Sequence, residues 1–295
     1  MALNLIVRLI RMISVIIPTH NRGKIVARAV NSVLSSTVLP AEIIVIEDNS
    51  FEASETLVDH IKAGQVTYYK KADGMASASA TRNFGVSKAS ERYVLFLDDD
   101  DTISPDYIRL LMDYLSSGQC KWGFGDILIN GKVAKFRHSH SAELNNVKFK
   151  LKMAGIGAGF WIDRELYIKL GGLDELQRID EDTDLCCRLI GSGFNPWYIK
   201  APATKVSRHD GLERLTSTSN AKDKVDCYSR TLHKNFAYFP LNSEAREFLL
   251  DRVHRSICQY GDLDELNILL SYRIPIKLKI IQRIRQLFLK QKTQQ

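Results

Sequence analysis

The chain has 295 residues, of which 45% are hydrophobic and 25% charged, a composition typical of a folded globular protein that argues against wholesale disorder. The formal net charge of +7 favours anionic partners, which include nucleotide phosphates, nucleic acids and anionic membranes. Five cysteines without a CxxC pair argue against a disulfide framework or a zinc cluster and favour a reducing cytosol.

An apolar run that Arg8 and Arg11 interrupt opens the chain over residues 1–12. The run is shorter than the roughly 18 apolar residues that a membrane-spanning helix needs. It also lacks the basic start and the small-residue cleavage site of a secretory signal. We interpret it as a lead-in helix or a weak surface anchor.

Short buried strands alternate with amphipathic helices over the next ninety or so residues, because β-branched runs alternate with apolar residues at helical spacing. The predicted strands cover residues 13–17, 42–46, 66–70 and 93–97, and the predicted helices cover 24–35, 54–63 and 77–89. This alternation is typical of an α/β fold with a Rossmann-like open, mostly parallel sheet and covering helices.

Elements of mixed type are predicted beyond this first half. The patterns favour helices at 105–115, 163–170 and 181–192, strand-like segments at 121–136 and 160–162, and a glycine-rich turn at 155–159. Residues 142–152 fit either a helix or a mobile loop. From about residue 223 the sequence becomes helical.

Polar clusters follow the first, second and fourth predicted strands, at residues 18–21, 48–50 and 98–101. Ligands of open parallel sheets bind outside the carboxyl ends of the strands. Three polar clusters at the same predicted edge therefore indicate a binding site there.

The four consecutive aspartates Asp98–Asp101 directly follow a buried strand. Carboxylates crowded on one turn repel one another, and a hard divalent cation among them relieves this repulsion. The alternative is a solvated acidic loop that caps the helix after Pro105. The position at the ligand-binding edge favours a metal site.

Two further residues of the first half are candidates, each with a structural alternative. Asp48 is suited to accept hydrogen bonds from a ribose hydroxyl or a base N–H, although Asp-Asn-Ser is also a common turn. Arg82 is a candidate contact to a phosphate or a base, although it is equally compatible with an exposed helix arginine.

Three candidates lie in the second half. Asp182 follows Glu181 at a predicted helix start, where a carboxylate acts either as a general base or as a helix cap. His209 is a candidate metal ligand or a structural histidine, and Arg214 is suited to hold phosphate oxygens.

Taken in order, these segments resemble the family-2 glycosyltransferases, which have the GT-A fold. The resemblance rests on residues 14–22 (SVIIPTHNR), 42–50 (EIIVIEDNS), 80–85 (ATRNFG), 96–107 (FLDDDDTISPDY), 171–175 (GGLDE) and 181–193 (EDTDLCCRLIGSG). It covers about residues 13–216, and the blocks occur in the order and at the spacing of the family.

The resemblance implies a role for each matching residue. The implied nucleotide-sugar site consists of Pro18, Thr19, Asp48, Arg82, Asp98, Asp99 and Arg214. The implied ligands for Mn²⁺ or Mg²⁺ are Asp100 and His209, and Asp182 matches the catalytic base. It further implies a GT-A domain at 13–220, divided into a nucleotide-binding half at 13–101 and an acceptor half at 102–220, followed by a C-terminal helical region at 221–295.

The implied activity is inverting transfer of a sugar from a nucleotide-sugar, with a UDP-sugar expected, to a hydroxyl of a glycan or a lipid-linked acceptor in bacterial surface polysaccharide synthesis. One alternative is a sugar-phosphate nucleotidyltransferase, which normally has a glycine-rich phosphate loop, whereas the 18–23 segment has a single glycine. The other is a basic nucleic-acid-binding protein, but no nucleic-acid motif occurs and no nucleic-acid partner is expected.

The C-terminal segment 274–292 has an apolar stripe with lysines and arginines on the opposite face. This pattern is typical of a helix that lies on an anionic membrane surface, and it also fits a helix packed on the catalytic domain. We therefore expect a cytoplasmic protein, with a peripheral location on the inner face of the cell membrane as the open alternative.

Overall fold

The computed structural model describes residues 12–48, 55–71, 77–116, 120–129, 131–133, 140–144, 155–206, 221–239 and 243–260. The lead-in at 1–11, His209, Arg214 and the tail at 274–295 lie outside these residues, so the predictions made for them stay predictions. Within the described residues, no helix has both the length and the apolar character needed to cross a membrane.

The first half confirms the predicted alternation of strands and helices. Its strands are β1 (Ile13–Thr19), β2 (Glu42–Asp48), β3 (Thr67–Lys71) and β4 (Tyr93–Phe96), and its helices are α1 (Gly23–Leu34), α2 (Glu55–Lys62) and α3 (Ala78–Lys88). All three pairings among these strands, β1 with β2, β1 with β4 and β2 with β3, are parallel.

The second half is more mixed. Its strands are β5 (Asp101–Ile103), β6 (Trp122–Ile129), β7 (Lys132–Val133), β8 (Ala142–Glu143), β9 (Trp161–Asp163) and β10 (Trp197–Val206). Its helices are α4 (Tyr107–Leu115), α5 (Arg164–Lys169), α6 (Glu181–Gly191), α7 (Ala221–Asn235) and α8 (Glu244–Tyr260), with single 3₁₀ turns at Ile156–Ala158 and Phe236–Tyr238.

One open sheet contains the ten strands found among the described residues, and its main path runs β3-β2-β1-β4-β9-β6-β10-β5. The second half adds antiparallel pairs: β9 runs antiparallel to both β4 and β6. The strand β10 pairs parallel with β6 and antiparallel with β5. The predicted α/β class with an open sheet is confirmed: the strands of the first half pair only in parallel with one another, and the second half is mixed.

Two segments differ from the sequence-based expectations. The ten-residue strand β10 was not predicted, because Lys200, Ala201 and Pro202 interrupt any apolar alternation and its pairing with β6 shifts register at Pro202. Residues 142–143 form a strand, so the prediction of a helix or a mobile loop is wrong there. They pair with β10 more than fifty residues away, a partner that local periodicity does not reveal.

Helices cover both faces of the sheet, and the alternation along β1 decides which core each residue enters. Val15 and Ile17 pack with the apolar residues of α1 and α4, whereas Ile16 packs on the other face with α3, α6 and the C-terminal helices. Gly85 allows α3 to lie close to this face, because a Cβ added there would be 2.6 Å from Cγ2 of Ile16. This close packing on β1 fixes the position of α3, the helix that carries Arg82.

Candidate functional site

The polar clusters predicted at three strand ends do meet at one edge of the sheet. In the parallel register of β1 and β2, Thr19 lies opposite Glu47, and Asp98 follows shortly after β4 on the other side of β1. The buried hydroxyl of Thr19 donates a 2.7 Å hydrogen bond to Asp99, which joins the first and fourth strand ends directly. The described residues of these strand ends therefore form one polar edge of the sheet.

Three of the four consecutive aspartates form a compact group. One carboxylate oxygen from each of Asp98, Asp100 and Asp101 lies within 4.8 Å of the other two. Asp99 instead accepts hydrogen bonds from Thr19 and, at 3.2 Å, from Arg22. Burial raises the pKa of Asp99, although the bond from Thr19 opposes this rise. The run therefore splits into a cluster of three carboxylates and one carboxylate held against β1 and α1.

Arginines compensate part of this negative charge and hold the backbone that carries it. Arg82 forms an ion pair with Asp98 at 2.6 Å, Arg22 pairs with Asp99, and Arg28 donates to the backbone carbonyl of Asp100 at 2.5 Å. Because charge-assisted bonds are short and directional, they fix the turn that carries the carboxylates.

The carboxylate cluster has the chemistry of a hard-cation site. Oxygen ligands from aspartates suit Mg²⁺ or Mn²⁺ rather than softer metals. Asp101 was not among the residues predicted as ligands, because nothing in a run of four aspartates shows which carboxylates share a face. Its place at the start of β5, opposite Val206 of β10, turns it towards Asp98 and Asp100.

Arg82 lies at the centre of the site. It is only 6% exposed, so the alternative of an exposed helix arginine is wrong. Its two terminal nitrogens reach Asp98 at 2.6 Å and Glu181 at 3.3 Å. Ser77 caps α3 by accepting from the backbone N–H of Ala80, which fixes the start of the helix. Arg82 therefore links the carboxylate cluster to the start of α6.

The first turn of α6 presents two neighbouring acids. Burial raises the pKa of Glu181 to about 7, the charge of Asp182 adds to the rise, and Arg82 opposes it. Asp182 accepts a 2.7 Å bond from the backbone N–H of Thr183. A Cβ added to Gly155 would lie 3.3 Å from the other carboxylate oxygen of Asp182. Glu181 is thus held by Arg82, whereas Asp182 faces the 155–157 segment.

The 155–157 segment passes between this acid and the carboxylate cluster. A Cβ added to Gly157 would lie 3.6 Å from Asp98 and 3.9 Å from Asp101. Thr204 of β10 holds the segment by donating to the carbonyl of Gly157 at 2.6 Å. Residues two apart have Cα atoms at most about 7 Å from each other. The acid at the start of α6 and the carboxylate cluster therefore flank one short glycine-containing turn.

The second strand end is polar and buried. Asp48 ends β2 and forms a buried ion pair with Lys71 at 3.1 Å, while a ring nitrogen of His20 lies 2.5 Å from its carbonyl oxygen. Glu47 accepts from the backbone N–H of Asn21 at 2.8 Å, which shapes the chain just after β1. Pro18 is half-buried within β1. These residues border the carboxylate cluster through Thr19.

A comparison with protein families identifies the class. The sequence model of Glycosyl transferase family 2 matches residues 14–171, more than half of the chain. The protein therefore belongs to the family-2 glycosyltransferases, as the sequence motifs predicted. This membership supports a glycosyltransferase and not the nucleotidyltransferase or nucleic-acid-binding alternatives. The matched range ends before α6, so it leaves the start of α6 and the C-terminal helices unmatched.

Curated relatives are glycosyltransferases as well. An uncharacterized glycosyltransferase of Haemophilus influenzae is 24% identical over 91% of this chain and 99% of its own length. The GalNAc(5)-diNAcBac-PP-undecaprenol beta-1,3-glucosyltransferase of Campylobacter jejuni is 30% identical, but the match spans 42% of this chain and 41% of that enzyme. The poly(ribitol-phosphate) beta-N-acetylglucosaminyltransferase TarP of Staphylococcus aureus is 32% identical over 41% of this chain and 38% of its own.

Solved structures support the fold. The S. aureus TarS structure in complex with UDP-GlcNAc superposes with a TM-score of 0.66 at 15% identity and covers 85% of this chain and 73% of that chain. The TarS structure in complex with UDP superposes with a TM-score of 0.64 at 14% identity, over 91% of this chain and 77% of that one. At this level of identity the likeness establishes the GT-A fold.

Proposed function

We propose that this family-2 enzyme is an inverting, metal-dependent glycosyltransferase that takes its sugar from a UDP-sugar. The acceptor in this proposal is a hydroxyl of a glycan or a lipid-linked glycan of a bacterial surface polysaccharide. One observation carries the proposal: three carboxylates and a separate acid at a helix start flank a single glycine-containing turn. Such an arrangement suits a donor diphosphate at one end and an acceptor hydroxyl at the other.

The donor end is assigned to the strand edge. Asp48, held by Lys71, would accept hydrogen bonds from the nucleoside, with Pro18 and Thr19 nearby in β1. The oxygen atoms of Asp98, Asp100 and Asp101 would hold Mn²⁺ or Mg²⁺. A cation there supplies charge neutralisation to the departing diphosphate. The TarS structures in complex with UDP and UDP-GlcNAc support the choice of uracil as the base, by analogy.

The acceptor end is assigned to Asp182. Its carboxylate would take the proton of the acceptor hydroxyl, so that the oxygen attacks the anomeric carbon from the face opposite the leaving UDP and inverts its configuration. Glu181 is the alternative base, because its raised pKa also suits proton transfer. Its contact with Arg82 commits its carboxylate to the protein, which favours Asp182.

The acceptor class is supported by analogy only. The C. jejuni relative is named for an undecaprenol-linked glycan and the S. aureus relative for poly(ribitol-phosphate). One name denotes a lipid-linked glycan and the other a polymer, and a comparable acceptor is proposed for this chain. Association with a membrane through residues 274–292 stays a prediction.

A donor panel tests the proposed function. Purified full-length protein is incubated with UDP-, GDP- and dTDP-sugars in Mn²⁺, and release of the free nucleotide is measured with and without excess chelator. We expect release from a UDP-sugar that chelator abolishes. Full activity in chelator would contradict the metal assignment, and release from GDP- or dTDP-sugars alone would contradict the donor.

Substitutions at the start of α6 test the base. Asp182→Asn should lower kcat by about 100-fold or more while UDP affinity changes little, because a positioned base is lost and the nucleotide contacts stay. Glu181→Gln is the matched variant one position away, and we expect it to keep more activity. A smaller loss in Asp182→Asn than in Glu181→Gln would transfer the role to Glu181.

A further inference from the structure

The start of α6 is held by the C-terminal helices, which lie outside the range that the family model matches. Asp180 precedes α6 in the left-handed region at φ 71°, which costs a non-glycine residue free energy. Backbone strain of this kind persists where surrounding contacts over-determine it, and it is common at functional sites. The contacts around Asp180 are therefore informative about the turn that carries Glu181 and Asp182.

Two side chains from the C-terminal helices hold Asp180. Thr231 of α7 donates to its carboxylate at 3.0 Å, and Arg252 of α8 forms an ion pair with its other oxygen. The Asp180 side chain is 2% exposed, so this ion pair is almost fully shielded on the carboxylate side. Thr231 in turn accepts from the amide of Gln177, which extends the network to the segment before α6.

Arg252 makes a second contact with the residue that follows Asp182 in the sequence. Its other terminal nitrogen donates to the hydroxyl of Thr183 at 2.8 Å. One guanidinium therefore binds the residue two before Asp182 in the sequence and the residue directly after it. Rings from both C-terminal helices orient the guanidinium, whose central carbon lies 4.4 Å from the ring centroid of Tyr228 and 5.4 Å from that of Phe248.

We propose that Arg252 is a positioning residue for the reaction: by holding Asp180 and Thr183 in one fork, it fixes the direction of Asp182 towards the 155–157 turn. This inference rests on the proposed role of Asp182 as the base. The planar guanidinium presents both donors in a fixed geometry, whereas an ammonium is a point charge, so a lysine can replace it only in part. Arg252 itself touches neither donor nor acceptor in this proposal.

Kinetics of three variants test the proposal on the full-length enzyme. Arg252→Met should lower kcat by about 10- to 100-fold, because a displacement of about 1 Å at the base has effects of this order. The KM for the UDP-sugar and the affinity for UDP should stay within about threefold, since Arg252 contacts Asp180, Thr183, Tyr228 and Phe248, none of which is assigned to the nucleotide. Arg252→Lys should recover part of kcat, and Asp182→Asn, run in parallel, reports the base itself.

Two controls separate positioning from a loss of stability. Arg255→Met removes an exposed arginine of the same helix, which pairs with Asp251 at 2.9 Å, and should leave kcat unchanged. The double variant Asp180→Asn with Arg252→Met removes both charges of this ion pair. It should recover much of the melting temperature that Arg252→Met loses, but it should not recover kcat. This double variant and Arg252→Lys keep the test informative if Arg252→Met does not fold.

Each contrary outcome has a defined meaning. A kcat within about twofold of wild type in Arg252→Met, with Asp182→Asn inactive, would overturn the positioning role and leave the proposed function intact. Recovery of kcat together with stability in the double variant would reduce Arg252 to charge compensation. An active Asp182→Asn enzyme would overturn the base assignment and the positioning proposal with it.

Discussion

The buried ion pair between Lys71 and Asp48 offers a sharp test of how strongly the end of β2 is held. Both side chains are 8% exposed, and the ammonium lies 3.1 Å from the carboxylate. Removing one partner of a buried pair leaves the other charge without compensation, which costs about 3 to 5 kcal/mol. We therefore expect Lys71→Met to lower the free energy of unfolding by about that amount and the melting temperature by roughly 10 °C.

A matched surface substitution sets the scale. Arg109 on α4 pairs with Asp106 and Asp113 at 3.5 and 3.4 Å, and all three side chains are exposed. Exposed ion pairs contribute about 0 to 1 kcal/mol, so Arg109→Met should change the free energy of unfolding by less than about 1 kcal/mol. Denaturant unfolding of both variants, followed by circular dichroism, gives the comparison directly.

A double variant distinguishes the cost of an uncompensated buried charge from the cost of lost packing. Lys71→Met with Asp48→Asn removes both charges, so it should be more stable than Lys71→Met alone. If Lys71→Met lowers the free energy of unfolding by less than about 1 kcal/mol, as Arg109→Met does, the buried ion pair contributes no more than an exposed one. That result would refute the expected cost of an uncompensated buried charge.

Two further predictions concern the scaffold. Burial raises the pKa of Asp174, but hydrogen bonds from Arg230 and Lys234 outweigh this and lower the pKa from 3.8 to about 2. The ionised carboxylate therefore stabilises the fold above about pH 4, and this contribution disappears as the pH falls towards 2. Asp174→Asn should therefore lower the free energy of unfolding by about 1 kcal/mol at pH 7 and leave it nearly unchanged near pH 2, as measured by unfolding at several pH values. The expected loss is small because Arg230 and Lys234 are half-exposed and water screens their charges. Gly123→Ala should cost about 3 kcal/mol or abolish soluble expression, because the added Cβ would lie 2.1 Å from the carbonyl oxygen of Trp197, as a melting curve would reveal.

Each of these has its own contrary result. A constant difference between Asp174→Asn and wild type from pH 7 to pH 2 would show that the ion pairs are not its cause. Gly64→Ala serves as the control for Gly123→Ala, because Gly64 has φ 69° but no atom within 4 Å of an added Cβ. Any loss in Gly64→Ala reports backbone strain alone, whereas Gly123 is not in the left-handed region. A loss in Gly123→Ala no larger than that in Gly64→Ala would show that the close contact between β6 and β10 yields at little cost.

Local sequence patterns were sufficient for the first half of the fold. Continuous β-branched runs such as 13–17 and 42–46 can bury both faces only between covering helices, so period and length identify them as strands. The strand ends then follow, and with them the edge where Thr19, Asp48 and Asp98 meet. Ser77 and Ala89, the predicted ends of a helix, are the residues that cap α3.

The same patterns failed where long-range contacts decide the structure. The strand β10 contains Pro202 and exposed lysines, and it exists because β6, β5 and β8 pair with it from distant parts of the chain. The burial of Arg82 likewise depends on Asp98 and Glu181, which approach it from other elements.

Within the site, the sequence predicted an acidic metal centre but not how the run would divide. The direction of each carboxylate depends on the turn and on the start of β5, where Asp101 joins Asp98 and Asp100 while Asp99 bonds to Thr19. The network around Asp180 was also not predicted, because its partners lie on α7 and α8. Neither Thr231 nor Arg252 belongs to a motif that a pattern would select.

In the proposed function, the carboxylate cluster would bind the diphosphate of a uridine nucleotide through a divalent cation. Calorimetric titration of UDP into the full-length protein, in Mn²⁺ and in excess chelator, tests it most directly, with Asp100→Asn as the variant and Asp113→Asn, on the exposed side of α4, as the control. We expect Mn²⁺ to tighten UDP binding by about tenfold or more in wild type and Asp113→Asn, a gain of about 1.4 kcal/mol, and to have little effect in Asp100→Asn. Equal UDP affinity in Mn²⁺ and in chelator would contradict the claim.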